Sequence, residues 1–321
     1  MRVVYSPRYH IDIGTHVFPT IKYQRLHREL EASGRWTFVE PGPPSWEDLA
    51  LVHTPEYLQK IRTGDFTTEE IAQLELPWSP AIVEGFRLMT GGTLLAAREA
   101  LDAPQRSSAA GIGLHIGGGF HHAFANHGEG FCLFNDVAVA IRVLQHEHLI
   151  QRAAIVDLDV HHGNGTAMIF DGDPSVFTLS IHQQHNYPAF KPRGSLDIGV
   201  NDRLQNVEYL TKLRQALPRA IAFEPQIVFY LAGADPYEDD QLGGLALTIE
   251  GLRERDRLVF AACRTAGIPV VLLLAGGYAR RLDDTVAIHR ATFDAAAEVF
   301  ANREPGTPIR TGNLERGTRN P

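Results

Sequence analysis

The chain has 321 residues, 44 % of them hydrophobic and 21 % charged, with a formal net charge of −8. This balance fits a soluble globular protein with ample material for a core, and no stretch gathers Lys and Arg densely enough for a nucleic-acid surface. No apolar run reaches the ~18–20 residues of a bilayer span, the opening MRVVYSP has no long apolar signal segment, and the two distant cysteines, Cys132 and Cys263, make neither a CxxC site nor a disulfide framework; the expectation is a cytoplasmic protein without membrane or nucleic-acid partners.

In chain order, RVVYS, starting at Arg2, reads as a first strand. Thr20 to Ser33 carries Ile21, Leu26 and Leu30 at helical spacing. Ser79 is a candidate N-cap with Pro80 at the first helical position, opening a helix that runs to Asp102. Gly91 and Gly92 inside it either weaken the helix or mark close packing. The runs GIGLHIG, AAIVDLDV, VFTLSIH, QIVFYLAG and PVVLLLAGG follow, each compact, apolar and closed by Gly, Asp or His. Near-continuous apolar strands belong to a sheet buried on both faces. Helical patterns lie between them at Phe134–Glu147, Val207–Phe223 and Glu250–Ala266. The alternation predicts one α/β domain, residues 1–302, with a central, mostly parallel sheet and helices on both faces. Residues 303–321, rich in Gly, Pro, Arg and Thr, read as a weakly ordered tail.

In an open α/β sheet the site lies beyond the carboxyl ends of the strands. Four apolar runs lead there into polar or glycine-rich ends: GGGFHHA with His121 and His122, DLDVHHGNG with Asp157, Asp159, His161 and His162, AGAD with Asp235, and AGGY with Tyr278. Asp157, Asp159 and His161 are spaced by two, which on a strand points them to one face. With Asp235 they offer an Asp, His, Asp set that leaves a fourth position open, the arrangement of catalytic zinc, with iron(II) as a competitor. Asp157 is then more useful behind a histidine, fixing its tautomer. His162 reads as a structural histidine in the turn. Residues 182–197 carry no helix or strand pattern and read as a rim or lid. Tyr187, Pro188 and Phe190 in it are candidates to shape the mouth of a channel, and the segment Thr15 to Tyr23 is a candidate for another wall.

The segments GGGFHHA, GFCLFNDVAVA, DLDVHHGNGT, LSIH, AGAD with DQLGGL, and AGGY resemble the zinc-dependent histone deacetylases, a family that includes acetylpolyamine amidohydrolases and acetoin-utilisation proteins on the arginase/deacetylase fold. They stand in the family's order from Gly117 to Tyr278. The opening YSPRYHIDIGTHVFPTIKY and Asn164 are most similar to the class IV branch and its bacterial relatives. The resemblance implies that Asp159, His161 and Asp235 ligate zinc, that His121 and His122 are the paired general base and general acid, and that Tyr278 donates to the scissile carbonyl oxygen. It places Asp157 behind His121 and Asn164 behind His122, where class I members have a second Asp. A neutral partner should hold His122 less strongly in its charged form. Gly130 and Phe131, with Tyr187, would line the substrate channel. Main-chain carbonyls of Asp157, Asp159, His161 and Ile181, with Ser180, would hold potassium. The implied substrate is an acylated lysine or a polyamine, with acyl groups longer than acetyl left open.

Two other readings compete. An arginase-type enzyme with two manganese ions wants DxHxD on the central strand and DxD on the later one, whereas this chain has DxDxH, and Tyr237 stands two residues after Asp235. A non-catalytic acyl-ligand-binding protein should have lost a catalytic group, yet both histidines and Tyr278 are present.

Overall fold

The runs AAIVD, IVFYL and VVLL lie in neighbouring strands of a six-stranded parallel sheet and are buried at every position. The computed structural model describes residues 1–102 and 110–300. In chain order its strands are β1 (Arg2–Val4), β2 (Thr37–Val39), β3 (Ile112–Leu114), β4 (Ala153–Asp157), β5 (Val176–Gln183), β6 (Leu196–Val200), β7 (Ile227–Leu231) and β8 (Val270–Leu273). The helices are α1 (Ile21–Ala32), α2 (Trp46–Leu49), α3 (Pro55–Thr63), α4 (Thr68–Leu74), α5 (Pro80–Asp102), α6 (Asp136–His146), α7 (Asn164–Ile169), α8 (Asn206–Ala222), α9 (Ile249–Ala266) and α10 (Leu282–Phe300). Helix α5 packs on α6, while α8, α9, α10 and α1 form a second helical group against the sheet. No helix among the described residues is long and apolar enough to cross a membrane.

The spatial strand order is β3-β8-β7-β4-β5-β6. From β4 the chain steps outward through β5 to β6, then returns to β7 on the other side of β4 and steps outward again to β8. The winding direction therefore reverses between β4 and β7, and a crevice opens beyond their carboxyl ends. The DLDVHH and AGAD segments leave the sheet at that point.

Several expectations need correction. The sequence places Asp157, Asp159 and His161 on one strand face, but β4 ends at Asp157. Asp159 and His161 lie in the loop beyond it and are held by hydrogen bonds instead. The Asp159 N–H donates to Asp157 Oδ1 (3.2 Å), the His161 N–H to Asp159 Oδ1 (2.9 Å), and the Val160 N–H to Asp235 Oδ1 (2.9 Å). The buried Arg255 guanidinium donates to the carbonyls of Leu158 (3.2 Å) and Gly233 (2.7 Å), so one side chain ties both loops together.

Residues 182–197 are not wholly irregular, because β5 runs through Gln183 and β6 begins at Leu196. Strand β6 is short, lies at the sheet edge and alternates in burial, so it lacks the continuous apolar run of the central strands. The expected first strand is present as β1. It pairs with β2, and a single bridge from Val4 to His115 connects it to the end of β3.

The α5 glycines mark close packing: a Cβ on Gly91 would stand 1.9 Å from the Gly42 carbonyl oxygen, and one on Gly92 2.2 Å from the Tyr9 hydroxyl. Ser79 caps α5 as expected, accepting from the Ile82 N–H at 3.2 Å. The expected tail, 303–321, lies outside the described residues.

Candidate active site and metal centre

Asp159, His161 and Asp235 are buried and bring one ligand atom each within 4.8 Å of one another. His161 Nδ1 lies 3.0 Å from Asp159 Oδ1 and 3.3 Å from Asp235 Oδ2. Asp235 Oδ2 is buried with no hydrogen-bond partner. Burial, with the neighbouring Asp159 charge adding to it, pushes the Asp235 carboxyl up to about 7. An orphaned carboxylate oxygen beside a second carboxylate is expensive unless a cation compensates it.

The surrounding backbone leaves room for one. A Cβ on Gly276 would meet Asp235 Oδ2 at 2.0 Å and Asp159 Oδ2 at 2.7 Å, and one on Gly233 would meet Asp159 Oδ2 at 2.7 Å. Two hard oxygens and one imidazole in such a cradle fit zinc or iron(II).

The two histidines of GGGFHHA sit beside this trio with ring centroids 4.1 Å apart. The preceding loop needs its glycines. Gly118 and Gly119 have φ of +75° and +87°, and a Cβ on Gly119 would collide with Ala275. Asp136, at the start of α6, fastens the loop by accepting from the N–H groups of Gly119 (3.0 Å) and Phe120 (2.7 Å).

His121 Nδ1 lies 2.6 Å from Asp157 Oδ2, and His122 Nδ1 lies 2.7 Å from Asn164 Oδ1. Burial lowers the pKa of both imidazoles. At His121 the carboxylates of Asp157 and Asp159 outweigh it and hold the ring up to about 9. At His122 burial wins, helped by the charges of His121 and His161, and the ring stays well below the usual value. The pKa values of the two adjacent side chains are thus pushed in opposite directions, as expected from a charged and a neutral partner.

Tyr278 lies five residues beyond β8, with its ring edge-on to Phe18 and Phe131 at centroid distances of 6.4 and 5.9 Å. Its N–H donates to Asp240 Oδ2 at 2.7 Å. Burial, and then the Asp159 and Asp235 charges, raise its phenol well above 10, so the hydroxyl keeps its proton and remains a donor. Tyr278, His121, His122, Asp159 and His161 line one pocket whose apolar walls include Phe18, Phe131 and Leu242. Phe131 holds φ +65° and Ala275 φ +50°, two strained backbones at the same cavity.

The structure therefore brings together the ligand trio, both histidines, Asp157, Asn164, Tyr278, Gly130, Phe131 and Tyr187. Phe18 carries the expected second wall. Phe190 does not line the pocket; it is 63 % exposed. Ser180 pairs in register with Asp157 across β4 and β5, and its hydroxyl shares a hydrogen bond with His182 Nδ1 at 3.0 Å. His162 is buried against Asp197 Oδ1 at 3.2 Å, in keeping with a structural part.

Three site residues have no role assigned from the sequence. Glu129 meets Asn164, Asp240 holds the Tyr278 backbone, and the fully buried Lys22 donates to the Ala275 carbonyl at 3.0 Å with its ammonium 5.7 Å from the Tyr278 ring. Glu129 stands one residue before GF in HGEGFC, a signal that could have been followed. Lys22 and Asp240 reach the Tyr278 loop through long-range contacts, which periodicity does not report.

Residues 16–292 match the histone deacetylase domain family. An uncharacterised protein of Picosynechococcus is 40 % identical over 303 residues, covering 93 % of this chain and 99 % of that protein. Histone deacetylase 2 of Arabidopsis thaliana is 33 % identical over 293 residues, covering 86 % of this chain and 74 % of its own. Among solved structures, an acetylpolyamine aminohydrolase from Burkholderia pseudomallei shares the fold with a TM-score of 0.74 at 21 % identity, covering 93 % of this chain and 99 % of that one. The chain belongs to the histone deacetylase family and is a hydrolase acting on amides.

Proposed function

We propose that this protein hydrolyses N-acyl-lysine in a protein or peptide, acetyl or longer, releasing a carboxylate and the free amine. The observation that carries the reading is the convergence of a buried Asp-His-Asp trio with one pocket that Asp159, His161, a histidine pair with separate side-chain partners and the Tyr278 phenol line together.

Asp159, His161 and Asp235 hold the metal, zinc or iron(II). When bound, it supplies Lewis acidity, which makes a carbonyl more electrophilic and water more acidic. The roles are the reverse of the order that the resemblance implies: His122, with Nδ1 occupied by Asn164, presents Nε2 as the acceptor for the proton of the attacking water. His121, kept cationic by Asp157, supplies a proton toward the leaving amine. Tyr278 donates its hydroxyl hydrogen to the carbonyl oxygen as negative charge develops there. Phe18, Phe131 and Tyr187 enclose the acyl-bearing chain and exclude water. Carbonyls of Asp157, Asp159, His161 and Ile181, with Ser180, form a potassium site that stiffens the loop behind the trio.

A second reading, an acylpolyamine as substrate, is favoured by Glu75, whose residue lines the same pocket. A carboxylate there suits a leaving amine that carries another positive charge. The test is a turnover screen of acetyl-lysine peptides, longer acyl-lysine peptides and acetylpolyamines on zinc-, iron(II)- or cobalt-loaded enzyme. Cleavage of acyl-lysine peptides supports the first reading, preference for acetylpolyamines the second. No turnover of any of them overturns both and leaves an acyl-ligand-binding protein.

A further inference from the structure

Behind His122 stands an amide, not a carboxylate, and an amide can present either end. Asn164 Oδ1 lies 2.7 Å from His122 Nδ1, while Asn164 Nδ2 lies 2.6 Å from Glu129 Oε1. An ionised carboxylate has only acceptor sites. Burial alone would raise the Glu129 pKa, but the nearby His127 ring, 3.6 Å away, and hydrogen bonds from Asn164, Gln73 and Tyr187 outweigh it and hold the carboxyl down to about 2. Asn164 must therefore turn its NH2 toward Glu129, which leaves its oxygen for the imidazole. That oxygen only accepts, so the hydrogen it meets belongs on His122 Nδ1, and Nε2 faces the pocket with its lone pair free.

We propose that Glu129 is a positioning residue that sets the tautomer of His122 through Asn164, in a carboxylate–amide–imidazole chain. The inference rests on the proposed amide hydrolysis for its kinetic meaning, but not for its geometry.

The same carboxylate oxygen accepts from the Tyr187 hydroxyl at 3.0 Å, and the Tyr187 ring stands edge-on to His122 at 5.0 Å. The other oxygen accepts from Gln73 Nε2 at 3.0 Å. One group therefore orients both the imidazole and a wall of the pocket. The arrangement also explains why the two histidines need different partners. Asp157 touches His121 directly and stabilises its positive charge. Glu129 acts one amide further away, so its charge is felt less strongly at His122. It orients the ring without holding a proton on Nε2.

The test combines a spectrum with a reversal of the chain. Nitrogen-15 NMR of histidine-labelled protein should show His122 as the Nδ1–H tautomer in the wild type. In Glu129→Gln, whose amide donates as well as accepts, a mixture of tautomers is expected, with kcat lower by about tenfold. Asn164→Asp sets two carboxylates against each other and should lose at least as much. Combining Asn164→Asp with Glu129→Gln restores a donor facing an acceptor, with the carboxylate moved next to the imidazole, and should recover about tenfold over Asn164→Asp alone. Tyr187→Phe removes the neighbouring hydroxyl and should change KM while leaving the tautomer in place.

An Nε2–H tautomer in the wild type, or a double variant no better than Asn164→Asp, overturns the proposal. The spectrum needs no substrate, so an Nδ1–H tautomer in a protein that cleaves no acyl amide would sink the hydrolase mechanism and leave the positioning chain standing.

Discussion

His121 Nδ1 and Asp157 Oδ2 meet at 2.6 Å, with both side chains buried at the end of β4. The pair makes a pH prediction for the metal-free protein. The folded pKa of His121, about 9, lies above its ordinary value of 6.5. Its stabilisation is therefore fully present below about pH 6.5 and is lost as pH rises through about 9. His161 is also raised, to about 10, so the wild-type profile alone does not isolate the pair. The difference between wild type and Asp157→Asn does. Urea unfolding should show wild type more stable than the variant at pH 6, by a gap that shrinks as pH rises through about 9. A gap constant across that range would mean that His121 carries no excess charge in the folded state.

The metal cradle gives the second prediction. Metal analysis after extensive dialysis should find about one equivalent of divalent ion per chain. Asp235→Ala should lose most of it. Gly276→Ala should also lose it while keeping the wild-type circular dichroism, because the added methyl would stand 2.0 Å from Asp235 Oδ2. Two equivalents per chain would revive the two-metal reading.

Tyr278→Phe deletes only a hydroxyl and keeps the packing against Phe18 and Phe131. Loss of one donor to a developing oxyanion typically costs ~10²–10³ in kcat, about 2.7–4 kcal/mol. KM should move far less, because the donor acts mainly in the transition state. Metal content and melting temperature should stay near wild type. A variant with nearly full kcat would remove the hydroxyl from the chemistry.

The histidine pair is tested by His121→Ala and His122→Ala, each expected to cut kcat by roughly 10²–10⁴ with metal retained. Steady-state kinetics alongside metal analysis separates this from loss of the ion. The two variants should also differ in pH dependence, since the pKa values of the two rings are pushed in opposite directions. Normal turnover in either one would exclude that ring from the mechanism.

The strands of the sheet centre were legible because their positions are buried on both faces, and continuous apolar runs report that directly. The α5 start was legible because Ser79 and Pro80 act locally. The polar residues crowding the strand ends, and the motifs they form, pointed to one crevice and to one family. Strand β6 was obscured because an edge strand alternates and is short.

Other features depended on tertiary structure. Asp159 and His161 leave the strand and are aimed by hydrogen bonds to their own backbone and to Gly276, whose N–H donates to Asp159 Oδ2 at 2.8 Å across 117 positions of chain. The Glu129–Asn164 and Tyr278–Asp240 contacts span 35 and 38 positions, and Lys22 reaches Ala275 across 253. Periodicity records which face of an element is buried, and motifs record which side chains share a loop. The partner of each buried donor is settled only when the winding of the sheet reverses between β4 and β7 and brings the separate strand ends together, where a polar group shut off from water must find a partner within reach.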